Sequence, residues 1–200
     1  MRLELGDRNT RAGAVAFNAP LIDEMLTLRI SGELLNTDGF VSNPTRNTNR
    51  YDAREQKAAR VALRFDPSKN IDSVLKFSHQ ENYGGHDFIE YENYPEERIN
   101  TSDHAAREGS TIDSLNLRVG LDALPELRFE SETTYFQANY DRLEDFDNSQ
   151  LPLGTLYRFS DIESVETELK ALVNLRKLSL VAGVFLRTSL MMRLLVPTWV

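Results

Sequence analysis

Along much of this chain every second residue is apolar. In Met25–Leu34, Ala58–Phe65, Ser114–Leu121 and Ser164–Leu175 one parity is almost purely hydrophobic and the other heavily charged. A period of two is the period of a β-strand with one oily and one wet face. Together with the turn residues between such runs, it predicts about nine strands, near 2–7, 11–18, 25–38, 55–66, 71–83, 111–122, 126–139, 162–174 and 177–187. One face carries Leu26, Leu28, Ile30 and Leu34, then Val61, Leu63 and Phe65, then Leu75 and Phe77, then Leu115, Leu117, Val119 and Leu121. It continues through Leu127, Phe129, Val165, Leu169, Ala171, Val173, Leu178, Leu180, Ala182 and Val184, with no charge interrupting it. The other parity holds Arg29, Glu33, Arg60, Arg64, Asp72, Lys76, Arg118, Arg128, Glu130, Glu132, Glu166, Glu168 and Lys170.

Alternation by itself fits two architectures equally well. A soluble antiparallel sheet hides its apolar face in a core and wets the other. An outer-membrane barrel turns the apolar face to lipid and keeps charge in its lumen. The connections separate the two. Ala19-Pro20-Leu21-Ile22-Asp23-Glu24, Asp66-Pro67-Ser68-Lys69-Asn70, Asp122-Ala123-Leu124-Pro125 and Asn174-Leu175-Arg176 are tight and rich in turn formers. The intervening stretches 39–54, 84–110 and 140–161 are long and polar. Loops of that length burden a compact soluble domain, whereas a membrane barrel has short turns on its periplasmic side and long loops outside. The expected fold is therefore all-β, an antiparallel up-and-down meander of about nine strands, forming an incomplete, open part of a large outer-membrane β-barrel. Phe40, Tyr83 and Tyr135 share the apolar parity near the long-loop ends and suit an interfacial girdle.

Composition narrows the function classes. A formal charge of −8 and the scattered Lys and Arg disfavour a nucleic-acid partner. The absence of cysteine removes disulfides, thiolate metal sites and thiol catalysis. No run of apolar residues is long enough for a helical membrane span, and residues 1–13 hold no signal-peptide apolar core.

The segment Ala14–Gly32, with Pro20-Leu21-Ile22-Asp23-Glu24-Met25 leading into Leu26-Thr27-Leu28-Arg29-Ile30-Ser31-Gly32, is followed by Asp38-Gly39-Phe40. It resembles the early barrel of TonB-dependent outer-membrane receptors, as does the turn Phe65-Asp66-Pro67-Ser68. The resemblance covers about residues 1–186. It implies a non-enzymatic receptor fragment in a bacterial outer membrane. The full-length parent would take up iron-siderophore complexes or other scarce nutrients, in contact with lipid, a plug domain and the TonB system. The fragment alone is not expected to transport. No TonB box or plug pattern is found, and nine strands are fewer than half of the roughly 22 such transporters use. The alternative from the residues alone is a soluble β-sheet module that binds carbohydrate or another ligand.

All 31 acidic residues lie at or before Glu168, and residues 187–200, RTSLMMRLLVPTWV, read as an atypical tail. The expectation is a barrel portion over 1–186 and a tail arising from truncation or a frame change. The competing reading of the tail is a short amphipathic helix at a membrane surface.

Candidate chemistry is sparse. The run His86-Asp87-Phe88-Ile89-Glu90-Tyr91-Glu92 offers cation ligands but matches no metal motif, and reads as a solvated acidic loop. Asp103, His104 and Glu108, with Ser102 and Ser110, supply fragments of a hydrolytic triad without a nucleophile elbow. Gly84, Gly85 and Gly109 read as turn glycines, and His79 is the remaining histidine. Tyr91, Tyr94, Arg98, Tyr140 and Arg142 are substrate-contact candidates by loop position alone. No catalytic, cofactor or metal residue is assigned.

Overall fold

The computed structural model describes residues 1–85, 98–105, 107–147 and 149–198. The candidates His86 to Glu92 and Tyr94 lie outside the described residues. Nine strands are present: β1 Arg2–Gly6, β2 Thr10–Ile22, β3 Leu26–Thr37, β4 Arg54–Ser68, β5 Ile71–Gly84, β6 Arg107–Leu124, β7 Leu127–Asp145, β8 Thr155–Leu175 and β9 Leu178–Thr198. They form one sheet in the order of the chain, every neighbour antiparallel, and β1 and β9 are left as edges. The meander is open.

Register converts the parity count into faces. Residues directly opposite in an antiparallel pair project to the same side. Leu28 pairs with Leu63, Leu63 with Leu75, Leu75 with Leu117 and Leu117 with Thr133, so one row of apolar side chains crosses four strands before it meets a threonine on β7. The adjacent row runs Ile30, Val61, Phe77, Leu115, Tyr135 and Val165. These side chains are not covered: Phe77 is 43% exposed, Leu117 44% and Leu169 45%. The only buried hydrophobic residues described are Val41, Tyr51 and Ala138. A soluble sandwich needs a second layer over the apolar face, and among the described residues there is none. The apolar face is left open to its surroundings.

The upper border of the apolar belt is stepped from strand to strand. On β3 it ends at Leu34, which pairs with Lys57, the first polar outward residue of β4. On β4 it ends at Ala59, which pairs with His79, the first polar outward residue above Phe77 on β5. The upper border thus steps down one pair per strand here, as it must when tilted strands cross a level boundary. A crossing takes about 9–11 residues, whereas β7 has 19 and β8 and β9 have 21 each. These strands are about twice as long as a crossing needs.

That surplus corrects the expected boundaries. The stretch 140–161 is not one long loop: β7 continues to Asp145, β8 begins at Thr155, and Tyr140 pairs with Ser160. β9 does not close near 187 either. It runs on through Thr198, with Glu166 opposite Arg187 and Leu156 opposite Pro197. Leu190, Met192, Leu194 and Val196 there keep the outward parity, an alternation blurred by Met191 and Leu195 on the other.

Short connections lie at one end of the sheet, between β2 and β3, β4 and β5, β6 and β7, and β8 and β9. The other end carries the three longer connections and one tight hairpin, where Arg8 (φ 58°) and Asn9 (φ 53°) turn β1 into β2 and Thr10 N donates to Asp7 O at 3.1 Å. Two successive left-handed residues match the natural twist of a two-residue hairpin.

Candidate functional site

The face opposite the apolar belt, the concave one if the sheet curves as a barrel wall does, is a charged wall whose groups satisfy each other. Arg128 on β7 donates from Nε to Glu130 at 2.9 Å, from Nη1 to Asp122 at 3.1 Å and from Nη2 to Asp72 at 2.5 Å. Asp72 is on β5, two strands away, so the guanidinium must cross β6. It does so over Gly120: a Cβ there would overlap the guanidinium and stand 2.8 Å from Asp72 Oδ1. Arg118 reaches the same carboxylate at 3.5 Å. Asn116 Nδ2 donates to Glu132 Oε1 and Thr134 Oγ1, both at 2.8 Å, and Arg60 meets Glu33 at 3.0 Å. Such a wall suits water or a polar filling and would be costly against lipid.

At the loop-bearing end the connections are lashed together by buried polar side chains. Asn43, Asn100 and Ser102 are fully buried. Asn43 Oδ1 accepts from Arg46 N at 2.9 Å, while its Nδ2 donates to Asn100 Oδ1 at 3.1 Å and to Ser102 O at 2.8 Å. Asp52 caps the chain reversal at Asp38-Gly39-Phe40, accepting from Phe40 N at 2.8 Å and Val41 N at 2.7 Å. Gly39, at φ +75°, leaves room for that carboxylate. Ser42 forms a parallel bridge with Ile99, and Asp103 N donates to Ser149 O at 2.9 Å. Residues 38–53, 98–105, 146–147 and 149–154 therefore form a layer rather than free loops.

The candidate residues fall into this frame unevenly. Phe40 is in the β3–β4 connection, not on a strand, and the Arg98 guanidinium lies 5.1 Å from its ring centre. Tyr83 and Tyr135 keep the outward parity; Arg107 covers the Tyr83 ring at 5.7 Å, and Tyr135 donates to Glu163 at 3.1 Å. Tyr140 and Arg142 belong to β7 and face the concave side, where Arg142 and Arg158 both meet Glu144, which is only 5% exposed. Gly84 and Gly109 lie within strands rather than in turns. Gly84 and Gly85 admit the backbone of residues 51–54, since a Cβ on Gly84 would stand 3.2 Å from Ala53 O and one on Gly85 would overlap Tyr51 O.

Ser102, Asp103 and His104 are neighbours in space, but not as a hydrolytic relay. Ser102 Oγ bonds Asp145 Oδ2 at 2.6 Å and the His104 carbonyl at 3.0 Å, while His104 Nδ1 meets Asp103 Oδ1. Ser110 accepts from Asn82 Nδ2 at 2.9 Å, and Glu108 pairs in register with Arg142. His79 faces outward just above the belt, with Nδ1 2.7 Å from Asp113. Asp145, which the sequence did not single out, is 4% exposed, and burial pushes its carboxyl up from the ordinary range. Asp147 in the adjoining loop is held below that range by the Ser149 hydroxyl. A cleft of about 470 Å³ opens beside this layer, lined by Arg46, Arg50, Arg54, Arg107, Tyr51 and Tyr83 among others. It is a basic and aromatic mouth, although Arg50 is paired with Asp38 at 2.8 Å and Arg107 with Asp141 at 2.9 Å.

No protein-family model matches the chain, and no curated protein matches it. Solved structures do. Over 98% of its length the chain superposes on the ferric yersiniabactin uptake receptor FyuA from Yersinia pestis, with a TM-score of 0.86 and 14% identity. Over 96% of its length it superposes on the copper transporter OprC, with a TM-score of 0.72 and 14% identity. The nine-strand sheet matches part of a larger β-barrel. The chain spans 31% of the first and 27% of the second, so it has the fold of a section of such a barrel wall.

Proposed function

We propose that this chain is a barrel section of a TonB-dependent outer-membrane receptor, non-enzymatic, whose longer parent imports an iron-siderophore complex or another scarce nutrient. The parent would sit in a bacterial outer membrane, with lipid against the apolar belt and a plug against the charged wall. The TonB system would supply its energy. One observation carries the reading: a two-faced, tilted sheet of nine strands superposes along almost its whole length on the wall of an uptake receptor. Charge on the concave face and apolar side chains on the convex face are what that wall requires. The basic, aromatic cleft at the loop end favours an anionic ligand such as a metal chelate over a bare cation.

The natural sequence contains no cysteine, which makes the faces directly testable. Leu75→Cys and Lys76→Cys place single thiols on opposite faces of β5. In lipid vesicles, position 75 should react with a lipid-dissolved maleimide and position 76 with a water-soluble one. Equal reaction of both thiols with the water-soluble reagent, from chain that stays dissolved without detergent, would replace the receptor reading with the soluble binding module.

A further inference from the structure

We propose that the charged face carries, near the loop-side ends of β7, β8 and β9, a binding site for an organic anion with an apolar body: a carboxylate or phenolate on a hydrophobic skeleton. A cavity of about 430 Å³ opens there, lined by Tyr140, Arg142, Arg158, Ser160, Arg193 and Leu195 among others. All six stand on the charged parity of their strands. The cleft beside Tyr83 is a different one, because Asn36, Glu55 and Tyr83 stand on the parity of the belt.

The unmet groups lie in one row. Tyr140 pairs with Ser160 and Ser160 with Arg193, so a phenol, a hydroxyl and a guanidinium stand side by side on three strands. Among the described residues none of these three side chains has a hydrogen-bond or ion-pair partner. That sets them apart from the rest of the wall. Facing polar side chains bond each other elsewhere, Ser78 with Ser114 and Asn116 with Thr134, both at 2.8 Å. Every other described arginine on this parity of the strands has a partner within the chain, as Arg187 has Glu166 at 3.2 Å and Arg29 has Asn18 at 2.9 Å. The carboxylates around the cavity are already engaged. Glu144 serves Arg142 and Arg158, which oppose each other directly as like charges. Glu108 stands in register with Arg142, and Asp141, on the belt parity, is held by Arg107. Arg193 is left as the uncompensated charge.

The surroundings define the ligand. A guanidinium offers a planar fork of donors that matches two carboxylate oxygens, and the Ser160 and Tyr140 hydroxyls can each donate one more hydrogen bond. Three guanidinium groups disfavour a free cation. On the belt side of this row the next one is apolar, with Ile112, Ala138, Ile162 and Met191 facing one another across four strands. Leu195 flanks Arg193 on the other side, and Met191 and Leu195 are 51% and 60% exposed. An apolar skeleton gains by covering those side chains, a gain that inorganic phosphate cannot make. That the anion is cargo rests on the receptor reading, whereas its binding does not; the thiols at positions 75 and 76 test that reading separately.

The test is equilibrium dialysis of naphthoate against the full 200-residue chain in an uncharged detergent, with protein-free micelles as the blank. One molecule should bind per chain. Arg193→Gln should weaken binding by at least about tenfold and Tyr140→Phe by about threefold, the ranges for a charged and a neutral hydrogen bond. Arg193 is exposed on the edge strand, so its replacement disturbs no packing. Arg187→Gln, on the same strand and face but paired with Glu166, should leave binding unchanged. Naphthylmethanol has the skeleton without the charge, and inorganic phosphate the charge without the skeleton. Each should displace naphthoate only at about tenfold excess or more. No saturable binding above the blank, undiminished binding in Arg193→Gln, an equal loss in Arg187→Gln, or displacement by either competitor at equal concentration would each overturn the assignment.

Discussion

At the scale of single residues the sheet depends on what is missing at Gly120. Arg128 can join Asp72, Asp122 and Glu130 only because β6 presents no side chain beneath its guanidinium. Gly120→Ala should displace the guanidinium and strand Asp72 with Arg118 alone. We expect a loss of about 1–3 kcal/mol in the urea unfolding of the detergent-folded chain, the range for overpacking or a broken charged hydrogen bond. Gly6→Ala is the matched control: its nearest neighbour is Thr10 Cβ at 3.4 Å, an ordinary contact. Its effect should stay within about 0.5 kcal/mol. Equal effects of the two substitutions would show that the crossing of β6 carries no stability. The buried amide of Asn43 makes a second case, since it satisfies both Asn100 and Ser102. Asn43→Leu should remove one hydrogen bond from each, leaving Asn100 Oδ1 the Ser102 amide at 2.9 Å, and amide exchange of residues 98–105 should speed up while that of β5 and β6 remains slow.

At the scale of elements, each strand is read by two solvents along its length. In the proposed receptor wall, one face of the belt meets lipid and the other water, so substitutions there should be strongly one-sided. Leu117→Arg puts a charge on the lipid face and should cost about 2–4 kcal/mol near the midplane. Ala58→Arg, on the concave face between Glu33 and Gln80, should cost little. Folding yields into lipid vesicles, compared for the two variants, measure the asymmetry; similar yields would contradict the assignment of faces. Beyond the belt the same strands meet water on both sides. There His79, Asp113, Gln137 and Glu163 occupy the outward row, and polarity no longer reports the strand. For this reason 140–145 and 155–161 look like loop in sequence although their backbones are fully paired.

At the scale of the whole molecule, the sheet has two free edges, a five-residue β1 and a 21-residue β9. A wall without closure encloses no pore, and free edges recruit other strands. Vesicles containing only this chain should therefore pass no ferric chelate, and the chain should self-associate in detergent at concentrations where complete barrels stay monomeric. Uptake by such vesicles would show that these nine strands close a pathway unaided. The likeness to FyuA and OprC at 14% identity has the same physical root as the poor legibility of the loops. A barrel wall constrains the polarity of alternate residues and the lengths of its turns, and hardly constrains which apolar or charged residue stands at each place.

Periodicity and turn chemistry were sufficient for nine strands, the up-and-down order and the division of Leu117 from Arg118 or Leu75 from Lys76, because each follows from local contact with lipid or water. The resemblance around Pro20 to Phe40 pointed to the same architecture. Tertiary structure alone decided how far β7, β8 and β9 extend, that Arg128 spans β6 to reach Asp72, and that Asn43, Asn100 and Ser102 are buried instead of solvated. It alone brought Asp145 against Asp103 and His104, some forty positions away in the chain. Backbone pairing does not depend on side-chain polarity, and polar groups from distant connections are buried together only when the register of the sheet delivers them to one place. Neither condition leaves a periodic mark on the sequence.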